Sequence, residues 1–286
     1  MESSNPDRSR LARSNIDIVA FQGEPGAYSE QAVFTFFGPA PKTRPCRTLK
    51  EVFKSVEDKT ATFGVVPSEN SLEGSVNQTY DLLLESTLKI YGEVKIRVEH
   101  CLLALPETKL EDIQVVFSHP QALGQCNSFL ENVHAEVIPA YDTAGSAKMI
   151  KEKQLSRAAS IASERAAELY GLNVVSRNIA DSPENLTRFF VIGSANSPPT
   201  GKDKTSVVFG TKHTPGSLQS ALSALSTRKI NLTKIESRPI KGKPWEYHFF
   251  VDFEGHYLDA KCATALEALG TSTTFLKILG SYPAAE

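Results

Sequence analysis

Apolar residues along this chain fall into short runs rich in β-branched and aromatic side chains, each followed by small polar residues and then by a stretch with helical spacing. Ile16-Asp17-Ile18-Val19-Ala20-Phe21 reads as a buried strand and passes through Gln22-Gly23-Glu24-Pro25-Gly26-Ala27-Tyr28-Ser29 into a helix. After a second helix, Leu49 to Asp58, the run Phe63 to Val66 leads into Pro67-Ser68-Glu69-Asn70-Ser71, where Ser71 is placed to cap a helix through Tyr80 to Leu84. Leu88 to Val98 and Cys101 to Leu105 are further strands, and Val115-Val116-Phe117 leads into Ser118-His119-Pro120-Gln121. Pro120 forces His119 into an extended conformation, so His119 caps the turn into a helix of Gln121 to Leu130. Two more strand, cap and helix units follow: Glu136 to Ala140 before Tyr141-Asp142-Thr143, and Ala159 to Ala162 before Ser163, with Gly171 ending the latter helix. In open α/β sheets of this kind, ligands gather beyond the C-terminal ends of the strands.

The polar, Pro-rich stretch Ser194 to Gly201 reads as a linker to a second domain. Beyond it Thr205 to Thr211 is a strand, Pro215-Gly216-Ser217-Leu218 opens a helix, Ile230 to Ile240 and Trp245 to Phe253 are strands, Leu258 to Leu269 is a helix and Phe275 to Leu279 a strand. This βαββαβ order, in about 80 residues, is that of a ferredoxin-like domain. Its helices cover one face, so the bare face is expected to pair with a second copy.

Composition narrows the function. With 286 residues, 41% of them hydrophobic, the chain has room for two or three cores. Its 31 basic and 33 acidic residues nearly cancel, which argues against nucleic acid or an anionic membrane as partner and leaves a small molecule. Cys46, Cys101, Cys126 and Cys262 are far apart and no histidine cluster has metal spacing, so reduced thiols in a cytoplasmic protein without a metal are expected. No apolar run is long enough to span a bilayer, and no secretion signal is read ahead of the first strand. Residues 1–15, rich in Ser and Arg, would make the location a plastid if they were the remnant of a transit peptide, but Glu2 and Asp7 favour a plain disordered tail.

The densest chemistry sits in Asn185-Leu186-Thr187-Arg188-Phe189-Phe190, at the head of a buried strand ending in Val191-Ile192-Gly193. Thr187 offers a hydroxyl and Arg188 a planar fork suited to a carboxylate, a combination that fits an acidic small molecule. Read alone, Thr187 is equally an ordinary β-former and Arg188 a strand charge whose side chain points away from Thr187. Gly23 and Gly26 let backbone N–H groups approach a ligand at a helix N-terminus, although a tight turn would also use them.

Taken together, Val19 to Ser29, Pro67 to Gly74, Ser118 to Leu123, Tyr141 to Gly145 and Asn185 to Phe189 resemble the prephenate dehydratases and their plant-type relatives, the arogenate dehydratases. Thr233-Lys234-Ile235-Glu236-Ser237-Arg238-Pro239 looks like the signature of the phenylalanine-binding ACT domains of that family. The resemblance implies a two-lobed catalytic domain over residues 16–194, built like type II periplasmic binding proteins with the active site in the cleft, and an ACT domain over 204–286. It also implies loss of water and carbon dioxide from prephenate to give phenylpyruvate, with no cofactor. Thr187 would hydrogen-bond the departing hydroxyl and Arg188 would hold a carboxylate. Ser118 and Gln121 would join Thr187 and Arg188 as catalytic residues, closing the opposite wall with His119, while Gly23, Gly26, Tyr28, Glu69, Asn70, Ser71 and Gly74 would bind substrate from the other side and Phe189 would contact it as packing. L-Phenylalanine would act as effector near Gly216, Ser217, Leu218, Glu236, Ser237 and Arg238, at a homodimer interface of ACT domains that could assemble further into tetramers. Ser217 departs from the alanine usual in the family's Gly-Ala-Leu stretch. Arogenate in place of prephenate, or an amino-acid sensor without catalysis, are the alternative readings.

Overall fold

Each apolar run of the sequence becomes a strand in the computed structural model, which describes residues 18–285; residues 1–15 and the expected strand start Ile16-Asp17 lie outside the described residues. The chain begins β1 (Ile18–Gln22), α1 (Tyr28–Phe37), β2 (Lys42–Cys46), α2 (Leu49–Glu57), β3 (Phe63–Asn70), β4 (Gly74–Ser75), α3 (Asn77–Glu85), β5 (Lys89–Arg97). It continues with β6 (Cys101–Ala104), β7 (Val115–Ser118), α4 (Pro120–Gly124), α5 (Asn127–Val133), β8 (Glu136–Pro139), α6 (Thr143–Lys153), β9 (Ala158–Ala162), α7 (Glu164–Tyr170), β10 (Asn173–Ser176) and β11 (Leu186–Gly193). It ends with β12 (Asp203–Gly210), α8 (Ser217–Ser226), β13 (Leu232–Pro239), β14 (Tyr247–Glu254), α9 (Ala260–Ser272) and β15 (Phe275–Pro283).

Among the described residues these strands form three sheets. The first has the order β2-β1-β3-β11-β5 with β4 on β3, the second β10-β6-β9-β7-β8, and the third β13-β14-β12-β15. The chain leaves the first sheet after β5, builds the second, and returns after β10 to insert β11 antiparallel between β3 and β5. Two crossings, around Val98 to His100 and from 177 to 185, therefore join two lobes and leave a cleft between them.

Local chemistry explains several boundaries. Asp142 caps α6 by accepting the Ala144 N–H at 3.2 Å, and Ser163 caps α7 through the Ala166 N–H at 3.1 Å. Gly171 ends α7 in the left-handed region at φ 61°, as its position predicts. Ser71 does not cap α3, which starts after Val76; its hydroxyl instead donates to the Glu184 carbonyl at 3.0 Å and accepts the Leu186 N–H at 3.0 Å. The expected helix from Gln121 to Leu130 is broken into α4 and α5 at Gln125 and Cys126. Asp181 makes the break: its carboxylate accepts the N–H groups of Asn127 and Ser128, each at 3.1 Å, and its own N–H donates to the Gln125 carbonyl at 2.7 Å.

The third sheet has the expected βαββαβ order, but its helix-free face is not bare. Val208, Phe250, Leu279 and Tyr282 pack there against Tyr80, Leu83, Ile90 and Phe190 in one continuous apolar cluster. Each large side chain so buried contributes about 1.5–3 kcal/mol. Pairing of this face with a second copy is thus displaced by the chain's own first lobe. Contact is close enough that a Cβ on Gly280 would collide with the backbone of Ile90.

Candidate active site

Strand alternation builds the site. In the ladder between β3 and β11, Asn70 opposes Thr187 and Glu69 opposes Arg188. Successive rungs project to opposite faces, so Asn70 and Thr187 face the cleft between the lobes, where they line a cavity of about 420 Å³. Arg188 points the other way, to Asp252 at 2.8 Å, Glu69 at 3.1 Å and Glu93 at 3.3 Å. Burial opposes its charge, but Asp252 and its neighbours outweigh that and hold the guanidinium protonated even more firmly than usual. The expectation that Arg188 holds a substrate carboxylate does not match this placement.

Thr187 is presented in a defined state. The Asn70 Oδ1 accepts the N–H groups of Leu72 at 2.9 Å and Glu73 at 3.1 Å, which fixes the amide so that Nδ2 donates to Thr187 Oγ1 at 2.9 Å and to Asn185 Oδ1 at 2.7 Å. Asn185 Nδ2 in turn donates to Gln125 Oε1 at 2.8 Å, which also accepts from His100 Nε2 at 3.0 Å. Since Thr187 Oγ1 already accepts a hydrogen bond, its own proton is left for an oxygen in the cavity.

The second lobe closes the cavity with His119, Gln121, Gln125 and Tyr141 to Thr143. His119 Nδ1 accepts the Gln121 N–H at 3.3 Å, so the neutral ring carries its proton on Nε2. Asp142 also accepts the Glu24 N–H at 2.6 Å, while the Glu24 carboxylate receives Tyr141 Oη at 2.7 Å and Lys148 Nζ at 2.9 Å. These bonds latch one lobe to the other. Burial raises the Asp142 carboxyl, whereas at Glu24 burial is outweighed by the Tyr141 and Lys148 bonds and the carboxyl falls below its ordinary value.

Other expected residues divide clearly. Gly23, Tyr28, Gly74 and Phe189 line the cavity. The N–H groups of Gly23 and Gly26, however, are already engaged by the Cys46 carbonyl and the Glu30 carboxylate, both at 2.8 Å, and so do not serve a ligand. Gly23 is needed for another reason: at φ 110°, a Cβ there would meet Asp142 Oδ2 at 2.9 Å. Ser118 is fully buried and donates to the Ile161 carbonyl at 2.6 Å, Ser71 is spent as described, and Glu69 faces Lys234 and Arg188. None of these three lines the cavity.

Sequence reading missed Arg47, which follows β2 and brings a guanidinium to the cavity with its Cζ 5.9 Å from the Tyr141 ring centroid. It also missed Gln125 and His100, whose positions depend on the α4–α5 break and on the first crossing. At the start of α8, beside the third sheet, Gly216, Ser217 and Leu218 line a shallow cavity with Leu222 and with Leu232 of β13. Glu236 and Arg238 are not there: they meet Ser75 and Asp81 of the first lobe, while Ser237 is exposed on the opposite face of β13.

A family model described as prephenate dehydratase matches residues 19–197. The chain belongs to the prephenate dehydratase family. A bifunctional chorismate mutase/prephenate dehydratase of Aquifex aeolicus is 46% identical over 93% of this chain and 74% of its own length. An arogenate dehydratase/prephenate dehydratase 2 of Arabidopsis thaliana is 42% identical over 98% of this chain and 76% of its own. Among solved structures, prephenate dehydratase of Arthrobacter aurescens in complex with L-Phe superposes with a TM-score of 0.85, 32% identity and coverage of 93% and 90%. A chain described as the quorum quenching acylase GqqA also gives 0.85, at 37% identity and coverage of 93% and 98%. Like the prephenate dehydratase structures it superposes on, the chain combines a type II periplasmic-binding-like pair of lobes with a C-terminal βαββαβ domain. Among the described residues, no helix is long and apolar enough to cross a membrane, and no cluster of His, Cys, Asp and Glu is arranged to hold a metal ion.

Proposed function

We propose that this prephenate dehydratase converts prephenate to phenylpyruvate, with Thr187 as the donor to the departing hydroxyl. In this reaction the electrons of the bond to the ring carboxylate move into the ring as carbon dioxide leaves, the carbon–oxygen bond breaks, and one proton, taken up from solvent, turns the leaving hydroxide into water while Thr187 gives it a hydrogen bond and keeps its own proton. Aromatisation drives the change, so the protein has to orient a dianion and stabilise the departing oxygen. The single observation that carries the reading is the Asn70–Thr187 hydrogen bond, which turns the threonine proton toward the cavity. Arg47 takes the side-chain carboxylate. Keeping Arg188 out of the cavity helps the chemistry, because a guanidinium on the ring carboxylate would hold back the charge that must flow toward the hydroxyl.

The same geometry argues against acyl transfer by Thr187, the reading that the acylase neighbour raises. A nucleophilic hydroxyl needs a base to take its proton, and Asn70 Nδ2 offers another donor. Arogenate differs from prephenate by an ammonium in place of the keto group. Glu73, at the cavity edge, is a carboxylate able to receive it. Measuring kcat/KM on both compounds, with phenylpyruvate or phenylalanine as product, decides the substrate. No turnover of either would leave a binding protein and overturn the proposal.

L-Phenylalanine is the proposed effector, bound beside Gly216 to Leu218 and completed by a second copy. The outer edge of β13, which pairs with no second strand among the described residues and has exposed Ile235 and Ser237, is the side on which that copy would join. Calorimetry with L-phenylalanine and the mass of the protein in solution test the two claims.

A further inference from the structure

The rung next to the catalytic one is held by the regulatory sheet. Glu69 Oε1 receives Lys234 Nζ of β13 at 2.9 Å, and Glu69 Oε2 faces Arg188. Arg188 itself is gripped by Asp252 of β14. Lys234 Nζ also donates to Ser75 Oγ at 2.7 Å, and Ser75 Oγ donates to Glu236 Oε2 at 2.7 Å. Ser75 lines the substrate cavity, and its backbone pairs with Glu69 in the β3–β4 ladder. The Arg188–Asp252 pair, at 10% and 3% exposure, is shielded from competing water, and Lys234 is 8% exposed while its partner Glu69 is 36% exposed.

We infer that Lys234, Glu236 and Asp252 are positioning residues for the dehydratase reaction: through Glu69, Ser75 and Arg188 they set the placement of the Asn70–Thr187 pair, and an effector acts on catalysis through them. The backbone gives the reason. Glu69 precedes Asn70 and Arg188 follows Thr187 in register, so a shift of β13 and β14 against β3 and β11 moves both members of the catalytic rung at once. On this assignment Glu236 is a lever on the cavity wall and not an effector ligand. The inference rests on the proposed roles of Thr187 and L-phenylalanine.

The test uses the full chain carrying Lys234→Met, which removes the charge at similar volume, beside Asp252→Asn and Glu236→Gln. Without effector, each lowers kcat by about tenfold with KM within about twofold of the parent, and Lys234→Arg recovers most of the loss. With saturating L-phenylalanine, calorimetry still shows binding, but the ratio of rates with and without effector falls to within about twofold of one. Parent-like kcat and parent-like response to L-phenylalanine in all three variants would overturn the inference. Abolished L-phenylalanine binding in Glu236→Gln would overturn it too, because that result makes Glu236 an effector ligand. Should Lys234→Met fail to fold, the half-buried and isosteric Glu236→Gln decides alone. A parent enzyme that neither binds nor responds to L-phenylalanine refutes the effector reading, and the effector-free kcat values still judge the positioning claim. Full turnover by Thr187→Ala refutes the catalytic reading separately.

Discussion

Asn70 donates to Thr187 across the β3–β11 ladder, 2.9 Å from Nδ2 to Oγ1, and so decides which way the threonine proton points. Removing the hydroxyl by Thr187→Ala is expected to lower kcat by about 10²–10³-fold, the usual cost of losing one donor to a developing oxyanion, while Thr187→Ser keeps most of the rate. Asn70→Asp makes a sharper case. A carboxylate beside Oγ1 would accept the threonine proton and turn it away from substrate, so kcat falls with KM nearly unchanged. Steady-state kinetics on folded variants check both, and an unaltered kcat in Thr187→Ala would remove the residue from the chemistry.

For Arg188 the expected loss is in stability. Its side chain is 10% exposed and lies among Asp252, Glu93 and Glu69; Glu93 keeps Lys204 and Glu69 keeps Lys234, but Arg188→Met leaves the buried Asp252 without its cation, a change that typically costs about 3–5 kcal/mol. Thermal unfolding should show a marked fall in Tm, while KM of whatever folded enzyme remains stays near that of the parent. A raised KM with an unchanged Tm would instead place Arg188 on the substrate.

That contrast also shows which parts of the molecule were legible in the chain. His119 as a cap, the helix end at Gly171 and the polar strand ends are local matters, settled by neighbours within a few residues. The direction of Arg188 was open, because alternation along β11 allows either face and the deciding partner, Asp252, lies on another sheet. Lys42-Thr43-Arg44-Pro45-Cys46 carries no apolar pattern; it is a strand because its edge position beside β1 tolerates Pro45, and missing it meant missing Arg47. Gln125 was hidden inside an apparently continuous helix that distant Asp181 breaks. Ser118 and Ser71 have the right residue type at the right strand end, yet backbone groups claim both hydroxyls. The face of the third sheet was misassigned because its occupant, the cluster around Tyr80 and Phe190, comes from the first lobe.

Arg47 is expected to act on binding. A guanidinium paired with a substrate carboxylate in both ground and transition states contributes about 1.5–3 kcal/mol, so Arg47→Met should raise KM by roughly tenfold to a hundredfold with kcat little changed. Arg47→Lys retains the charge but loses the planar fork and falls between the two. Equal KM values for all three proteins would take Arg47 out of the site.

Acid should weaken the protein through its cleft histidines. Burial holds His119 and His100 below the ordinary histidine value, and at His100 the Gln125 hydrogen bond offsets only part of that effect. Each ring therefore stays neutral in the folded protein at pH values where the unfolded chain already binds a proton. The unfolded state then carries more protons and stability rises with pH. The penalty is absent above about pH 6.5, grows as pH falls through that value, and levels off below the folded-state values. His100→Gln, which keeps a donor toward Gln125 but cannot titrate, should show a smaller loss of Tm between about pH 7 and pH 5 than the parent. Parallel Tm curves for parent and variant would mean that His100 does not contribute to the acid sensitivity.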